Sequence, residues 1–309
     1  MEKRLVYRED GSFKIVQFTD LHWENGNRSD LAARRGMERV LAEERPDLVV
    51  FTGDVIESTA CADPKRSFRQ AVDAAESSGT PWAAVFGNHD TEAGVTREEL
   101  MELQREFRHC LSERGPRELT GVGNYVLRLA ARDGRTDRAL FFLDSGSYSH
   151  LAVGGYAAIA RDQIAWYVRQ SQALEAENGG PVPALLFFHI PLPEYKEAWE
   201  RGTCFGSRHE EVCCPRINTG LFAAMVETGN AEGVFVGHDH ANDYCGELYG
   251  IVLAYGRKTG YNNYNRKGMK HGARVIALEE GRAGFRTWLR LNDGSVERGR
   301  PAHRPKGRR

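Results

Sequence analysis

Five stretches of the chain end an apolar run in side chains that bind metal ions: Phe13 to His22, Leu48 to Asp54, Ala84 to Asp90, Ala184 to His189 and Gly233 to His240. Together they offer seven candidate ligands, Asp20, His22, Asp54, Asn88, His189, His238 and His240. Carboxylate, imidazole and amide without thiolate suit manganese, iron, zinc or cobalt rather than a soft copper(I) site. Seven donors are too many for one tetrahedral zinc, and they suit two ions that share a carboxylate. Asp54, directly after Gly53, is best placed to be shared. Taken singly, Asp-x-His, Gly-Asp or Asn-His-Asp is more often a turn or a cap than a ligand set. Their weight is joint, because unrelated turns would not all fall at the ends of apolar runs.

The elements that must position these residues follow from periodicity. Residues 13–18 alternate as a strand does, and Asp20 and His22, two apart, project to one side if the backbone stays extended. Residues 30–44 carry Leu31, Ala32, Met37, Val40 and Leu41 at helical spacing, and Arg45-Pro46 stops the helix. Residues 47–51 are continuously apolar, as in a strand buried on both faces. Helices are expected over 66–77 and 96–111, on either side of a strand at 81–86. Such strand–helix alternation predicts an α/β domain with its site beyond the carboxyl ends of the strands. Two β-rich runs, 125–130 and 139–143, read as a hairpin; 161–177 reads as an amphipathic helix and 185–188 as a strand. Residues 202–215 read as a surface loop over the site and 218–228 as a helix. The segments 246–255, 273–278 and 285–291 read as strands of a second sheet.

Bulk properties agree with an enzyme. A chain of 309 residues, 41% hydrophobic and 28% charged, can bury a large core and is not disordered or fibrous. The charged start, Met1 to Asp10, lacks the apolar core of a signal peptide, and no run approaches the roughly 18 apolar residues of a membrane span, so the expected location is the cytoplasm. Six cysteines form no paired zinc pattern, and the adjacent Cys213 and Cys214 read as reduced thiols. Residues 293–309 are expected to form a basic, disordered tail. Arg298, Arg300, Arg304, Lys306, Arg308 and Arg309 would give nucleic acid only weak, salt-sensitive contacts.

The series Asp20-x-His22, Gly53-Asp54, Gly87-Asn88-His89-Asp90, His189 and Gly237-His238-x-His240 resembles the calcineurin-like metallophosphoesterase superfamily over residues 13–290. The resemblance implies a four-layer α/β-β/α sandwich of two mixed sheets, occupying residues 1–292 as one domain. It implies one metal on Asp20, His22, Asp54 and His240, and a second on Asp54, Asn88, His189 and His238. It also places His89 beside the leaving group, with Asp90 as its orienter. Leu143-Asp144-Ser145-Gly146, His189 to Pro193, Asn218-Thr219-Gly220 and Gly237 to Tyr244 are most similar to the small purple-acid-phosphatase-related phosphatases of plants and fungi. The purple enzymes have a tyrosine ligand three residues after the glycine-linked aspartate; Glu57 stands there in this chain, so no tyrosinate colour is expected.

The chemistry implied is hydrolysis of a phosphate ester, most readily a monoester, by a hydroxide held between two manganese, iron or zinc ions, divalent or of mixed valence. The same centre could cleave diesters such as nucleotides or phospholipid headgroups, and a metal-poor protein-binding scaffold is the reading from another class. Arg208, His209, Lys258 and Tyr261 are the candidate substrate contacts, with Asn262 and Tyr264 beside them in the same glycine-bounded stretch as Lys258 and Tyr261, each weighed against being a plain loop residue.

Overall fold

A computed structural model of the chain describes residues 5–305. In chain order it begins with β1 (Leu5–Val6), β2 (Ser12–Phe18), α1 (Arg28–Glu44), β3 (Leu48–Thr52), α2 (Pro64–Ser78), β4 (Trp82–Val85) and α3 (Arg97–Gln104). The middle holds β5 (Tyr125–Ala130), β6 (Thr136–Phe142), α4 (Arg161–Asn178), β7 (Ala184–Phe187), α5 (Glu194–Arg201), β8 (Cys204–Phe205), α6 (Leu221–Thr228) and β9 (Ala231–Val236). Then follow β10 (Cys245–Leu248), β11 (Ile251–Tyr255), β12 (Gly272–Glu279), β13 (Arg286–Leu291), β14 (Val296–Glu297) and β15 (Ala302–His303).

The strands form two mixed sheets. One runs β14-β13-β12-β2-β3-β4 and the other β1-β5-β6-β7-β9-β11-β10-β8-β15. Within them β2, β3 and β4 are parallel, as are β6, β7, β9 and β11. Side-chain alternation explains the layering. On β2, Phe13 and Ile15 enter a core with Leu48, Val50, Phe142, Phe187 and Phe235, between the sheets. Val16 and Phe18 turn the other way, into the core shared with Met37, Val40, Phe68 and Ala71 of α1 and α2. The larger sheet presents Phe141, Leu186 and Val234 to α4, α5 and α6 in the same manner. The result is the four-layer α/β-β/α sandwich.

Several local expectations are corrected. The helix expected over 96–111 stops at Gln104, because residues 109–111 run along the edge of β4: Trp82 donates to the His109 carbonyl and Leu111 to that of Trp82. The single strand expected over 246–255 is a hairpin, turning at Tyr249 and Gly250, whose positive φ values suit a two-residue hairpin turn. Helix α5 was not expected, and the loop read over 202–215 contains β8.

The basic tail is corrected too. Val296–Glu297 pair with β13 and Ala302–His303 with β8, so this stretch is bound to both sheets as far as Pro305. Two-residue strands leave no periodicity to detect in the sequence. What holds them is electrostatic as well as hydrogen-bonded, for Arg300 pairs with the buried Asp243 at 2.7 Å. Lys306, Arg308 and Arg309 lie outside the described residues.

Candidate metal centre

All seven donors lie just beyond the carboxyl ends of five parallel strands. Asp20 and His22 follow β2, Asp54 follows β3 and Asn88 follows β4; His189 follows β7, and His238 and His240 follow β9. The smaller sheet therefore supplies four donors and the larger sheet three. Backbone bonds join the two sets, Thr259 donating to the Thr19 carbonyl and Gly260 to that of Asp20, while within the larger sheet Gly237 donates to the His189 carbonyl.

Asp20 and His22 are not in extended backbone, as the sequence suggested. They have φ of 52° and 47°, with Asp54 at 49° and His238 at 78°, a region that non-glycine residues rarely adopt. Strain of this kind is kept only where surrounding contacts enforce it. Here the amide of Asp20 donates to the Gly53 carbonyl, that of His22 to the Asp54 carbonyl, and that of His238 to the Asp20 carboxylate at 2.9 Å. Glycine allows the close approach. A Cβ on Gly87 would lie 2.1 Å from Asp54 Oδ1, and one on Gly237 2.0 Å from Thr19 Oγ1.

The donors fall into two pockets, Asp20 with His22 and His240, and Asp54 with His189 and His238; within each, one ligand atom per residue lies within 4.8 Å of the others. Asp54 Oδ2 faces both pockets, 3.1 Å from His189 Nε2 and 3.7 Å from His22 Nε2. Three imidazoles are tied from behind. Nδ1 of His22 meets Glu57 at 2.9 Å, that of His189 the Thr52 carbonyl at 2.8 Å and that of His240 the Tyr264 carbonyl at 3.0 Å. Fixing Nδ1 in this way turns a bare Nε2 inward, as metal-binding histidines require.

Three further observations fit metal ions. His22 Nε2 and His240 Nε2 are 2.9 Å apart, and His189 Nε2 and His238 Nδ1 3.2 Å apart. Two ligands of one ion bound at about 2.1 Å at right angles stand about 3.0 Å apart. The buried carboxamide of Asn88 has no hydrogen-bond partner at either atom, and buried polar groups are rarely left so. Finally, burial pushes His22 and His240 below the ordinary histidine value and His238 down to about 3, which favours neutral rings there, whereas Asp54 outweighs burial at His189 and raises it to about 9. Asp54 is held well below the carboxylate range; burial opposes this, but His189, His22 and His89 outweigh it.

His89 stands at the mouth, about a quarter exposed. Its Nδ1 lies 2.7 Å from Glu92 and 3.3 Å from Glu57. Burial favours the neutral ring, yet Glu57, Asp54 and Glu92 together raise its pKa to about 10. Asp90 is not its orienter. The Asp90 carboxylate is buried and accepts from the amides of Ile56 and Gly87 at 2.9 and 2.7 Å, tying the turn after β4 to the turn after β3. Glu57 does what was expected of Asp90, and it orients His22 as well.

The four expected substrate contacts lie elsewhere. Lys258 is buried behind the site, with Nζ 3.0 Å from His240 Nδ1 and donating to the Asn262 carbonyl. Tyr261 packs on His271, with ring centroids 4.1 Å apart. Arg208 pairs with Glu211 at 2.8 Å, and His209 borders a separate cavity with Arg257 and Arg300. Asp144 shapes a turn, accepting from the amides of Val122 and Gly146 and from Arg97. The residues that rim the pockets are instead Tyr156, whose ring meets His238 edge-on at 4.3 Å, Tyr264, stacked on His240 at 4.0 Å, and Tyr148, bonded to Glu92. Tyr264 lies in the glycine-bounded stretch already singled out with Lys258 and Tyr261, whereas Tyr148 and Tyr156 sit in no motif that would have marked them.

Fold and site together define a metal-dependent phosphoric ester hydrolase. The chain belongs to the calcineurin-like phosphoesterase family, whose model matches residues 13–242. That family uses a dinuclear metal centre, and this chain has two buried His/Asp groups that could each hold a metal ion. The chain is 36% identical to probable inactive purple acid phosphatase 29 of Arabidopsis thaliana, an alignment covering 94% of this chain and 85% of the relative. It is 30% identical to the phosphatase DCR2 of Saccharomyces cerevisiae over 96% of this chain and 56% of that protein. A dimetal phosphatase from Danio rerio shares the fold at a TM-score of 0.59 and 13% identity, covering 89% of this chain and 98% of that one.

Proposed function

We propose that this protein hydrolyses phosphate monoesters, with Asp20, His22, Asp54 and His240 holding one divalent ion and Asp54, Asn88, His189 and His238 the other. The observation that carries the reading is the convergence of seven donors, three of them imidazoles tied at Nδ1 with a bare Nε2 turned inward. A protein-binding scaffold has no use for the unpartnered Asn88 amide or for imidazoles fixed in the ligand tautomer. "Inactive" is the description of the plant relative; all seven donors are present in this chain. Monoesters are favoured over diesters because the relatives of known name are described as phosphatases.

Two divalent ions supply positive charge that binds the phosphate and acidifies water. The protein's own part follows from its geometry. Asp54 faces both pockets and fixes their separation. The Glu57 carboxylate holds the rings of His22 and His89 together, linking a metal donor to the acid at the mouth. His89, whose pKa is raised by Glu57, Asp54 and Glu92, bonds through Nδ1 to its carboxylates and so presents Nε2 to the departing oxygen. Tyr148, Tyr156 and Tyr264 line the mouth.

The test is side-by-side turnover of p-nitrophenyl phosphate and bis-p-nitrophenyl phosphate by manganese-loaded protein, with metal content measured on the same sample. About two equivalents of metal and dominant monoester cleavage are expected. Dominant diester cleavage would overturn the monoester assignment, and protein with no retained metal and no turnover would overturn the whole reading.

A further inference from the structure

The phosphoesterase centre makes no use of the basic run near the end of the chain. That run forms one wall of a cavity of about 700 Å³, completed by Ser207, His209 and the loop 266–270. Six cationic side chains line the cavity, Arg257, Arg266, Lys267, Lys270, Arg298 and Arg300, against two carboxylates, Asp243 and Glu297. Both carboxylates are already shared between the same two arginines: Asp243 lies 2.9 Å from Arg257 and 2.7 Å from Arg300, and Glu297 lies 3.3 Å from each. Even so, Arg257, only 4% exposed, has no partner for Nε, and Arg300 has none for Nη1. Lys270 pairs with Asp293 at 2.7 Å, but Arg266 and Lys267 stand exposed at the rim and have no ion pair among the described residues.

Internal pairing thus leaves a surplus of positive charge in a concave space, where the field of several cations is focused. Guanidinium forks match the oxygens of phosphate, and a multiply charged oxyanion would meet more of these cations than a single carboxylate. Apart from His209 the lining has no aromatic ring, so the stacking surface a single-stranded nucleic acid needs is missing. One loop links the cavity to the metal centre. Tyr264 stacks on His240, and Arg266 reaches the cavity two residues further along the same loop.

We propose that this cavity is a second anion site, which binds a phosphate group either free in solution or carried by the substrate. Its evidence is its own set of cations and does not depend on turnover. Only the substrate-borne case rests on the phosphatase reading.

The experiment is equilibrium dialysis of full-length, metal-loaded protein against radiolabelled inorganic phosphate. The wild type is compared with the rim double variant Arg266→Glu/Lys267→Glu and, in case that fails to fold, with Arg298→Glu. Product inhibition by phosphate reads the metal centre separately. Two equivalents are expected in the wild type, with one weakened at least tenfold in the variants while product inhibition is unchanged. If the protein proves inactive, the charge-sensitive equivalent can still be counted, so the two readings fail separately. A falling preference for a sugar bisphosphate over its monophosphate in the variants would assign the site to the substrate's second phosphate. An unchanged preference beside a lost equivalent would assign it to free phosphate. Equal binding by the wild type and the folded variants, or a single wild-type equivalent that Asn88→Ala removes, would overturn the proposal.

Discussion

At the scale of single residues the site depends on carboxylates outside the two pockets. Glu57 occupies the place at which purple enzymes have a tyrosine ligand, and here it binds two imidazoles instead, His22 at 2.9 Å and His89 at 3.3 Å. Its own pKa lies far below the ordinary range; burial opposes this, and hydrogen bonds from the two rings outweigh it. Since His89 is tied to Glu57 and Glu92 but belongs to neither metal pocket, acid catalysis and metal binding should separate on mutation. His89→Ala is expected to lower kcat by roughly 10² to 10⁴. Metal content measured by mass spectrometry should stay at the wild-type level, and esters with good leaving groups should suffer least. A loss of metal would show that His89 supports the ligands rather than the leaving group.

At the scale of elements, the strand ends carry strained turns that only close backbone approach permits. Gly87→Ala would place a methyl 2.1 Å from Asp54 Oδ1, and Asp54 serves both pockets. The expected outcome is a loss of turnover of more than about 100-fold through misplaced ligands, with the far-ultraviolet circular dichroism of a folded protein. A second element-scale contact lies at the end of α1. Glu44 is buried and accepts from Lys14, Trp288 and Arg290, binding the helix to β2 and β13. Burial would raise its pKa, but these three hydrogen bonds lower it below 4.5. A depressed carboxylate stabilises the fold above its unfolded pKa, and the contribution is lost as pH falls through the folded value. Glu44→Gln should therefore cost about 1–3 kcal/mol at neutral pH, and the gap between wild-type and variant urea midpoints should close as pH falls below 4.5. A gap independent of pH would assign the cost to packing alone.

At the scale of the whole molecule, the two sheets are held face to face by an aromatic ladder. Phe142, Phe187 and Phe235 follow one another with centroids 5.3 and 5.2 Å apart, and Ile15, Val50 and Ile276 close on them from the smaller sheet. This core sets the distance between the metal donors of one sheet and those of the other. The last described segment clamps the assembly, since β14 pairs into one sheet and β15 into the other. A chain ended at Asn292 would leave Asp243 without Arg300. It should unfold at a clearly lower temperature, each lost kcal/mol being worth roughly 2–4 °C in a protein of this size. An unchanged midpoint in calorimetry would restore the picture of a solvated tail.

The seven donors and the strand before each were legible in the sequence, because an apolar run ending in Gly-Asp or Gly-His-x-His is a local pattern set by the twofold repeat of a strand. Family resemblance then supplied the sandwich and the grouping of donors. What the sequence could not show was contact across large separations. Glu57 meets His22 from 35 residues away and Tyr264 meets His240 from another loop. The run from Arg298 looked like a tail because the Arg300–Asp243 ion pair and a two-residue strand leave no periodicity. Asp90 looked catalytic because adjacency in the chain resembles adjacency in space, whereas its carboxylate turns back into the protein to bind amides. Strand ends are decided by nearest neighbours, and so the sequence by itself determined which residues could bind metal. Their orientation depends on how two sheets bury a common core, and that was decided only by the tertiary structure.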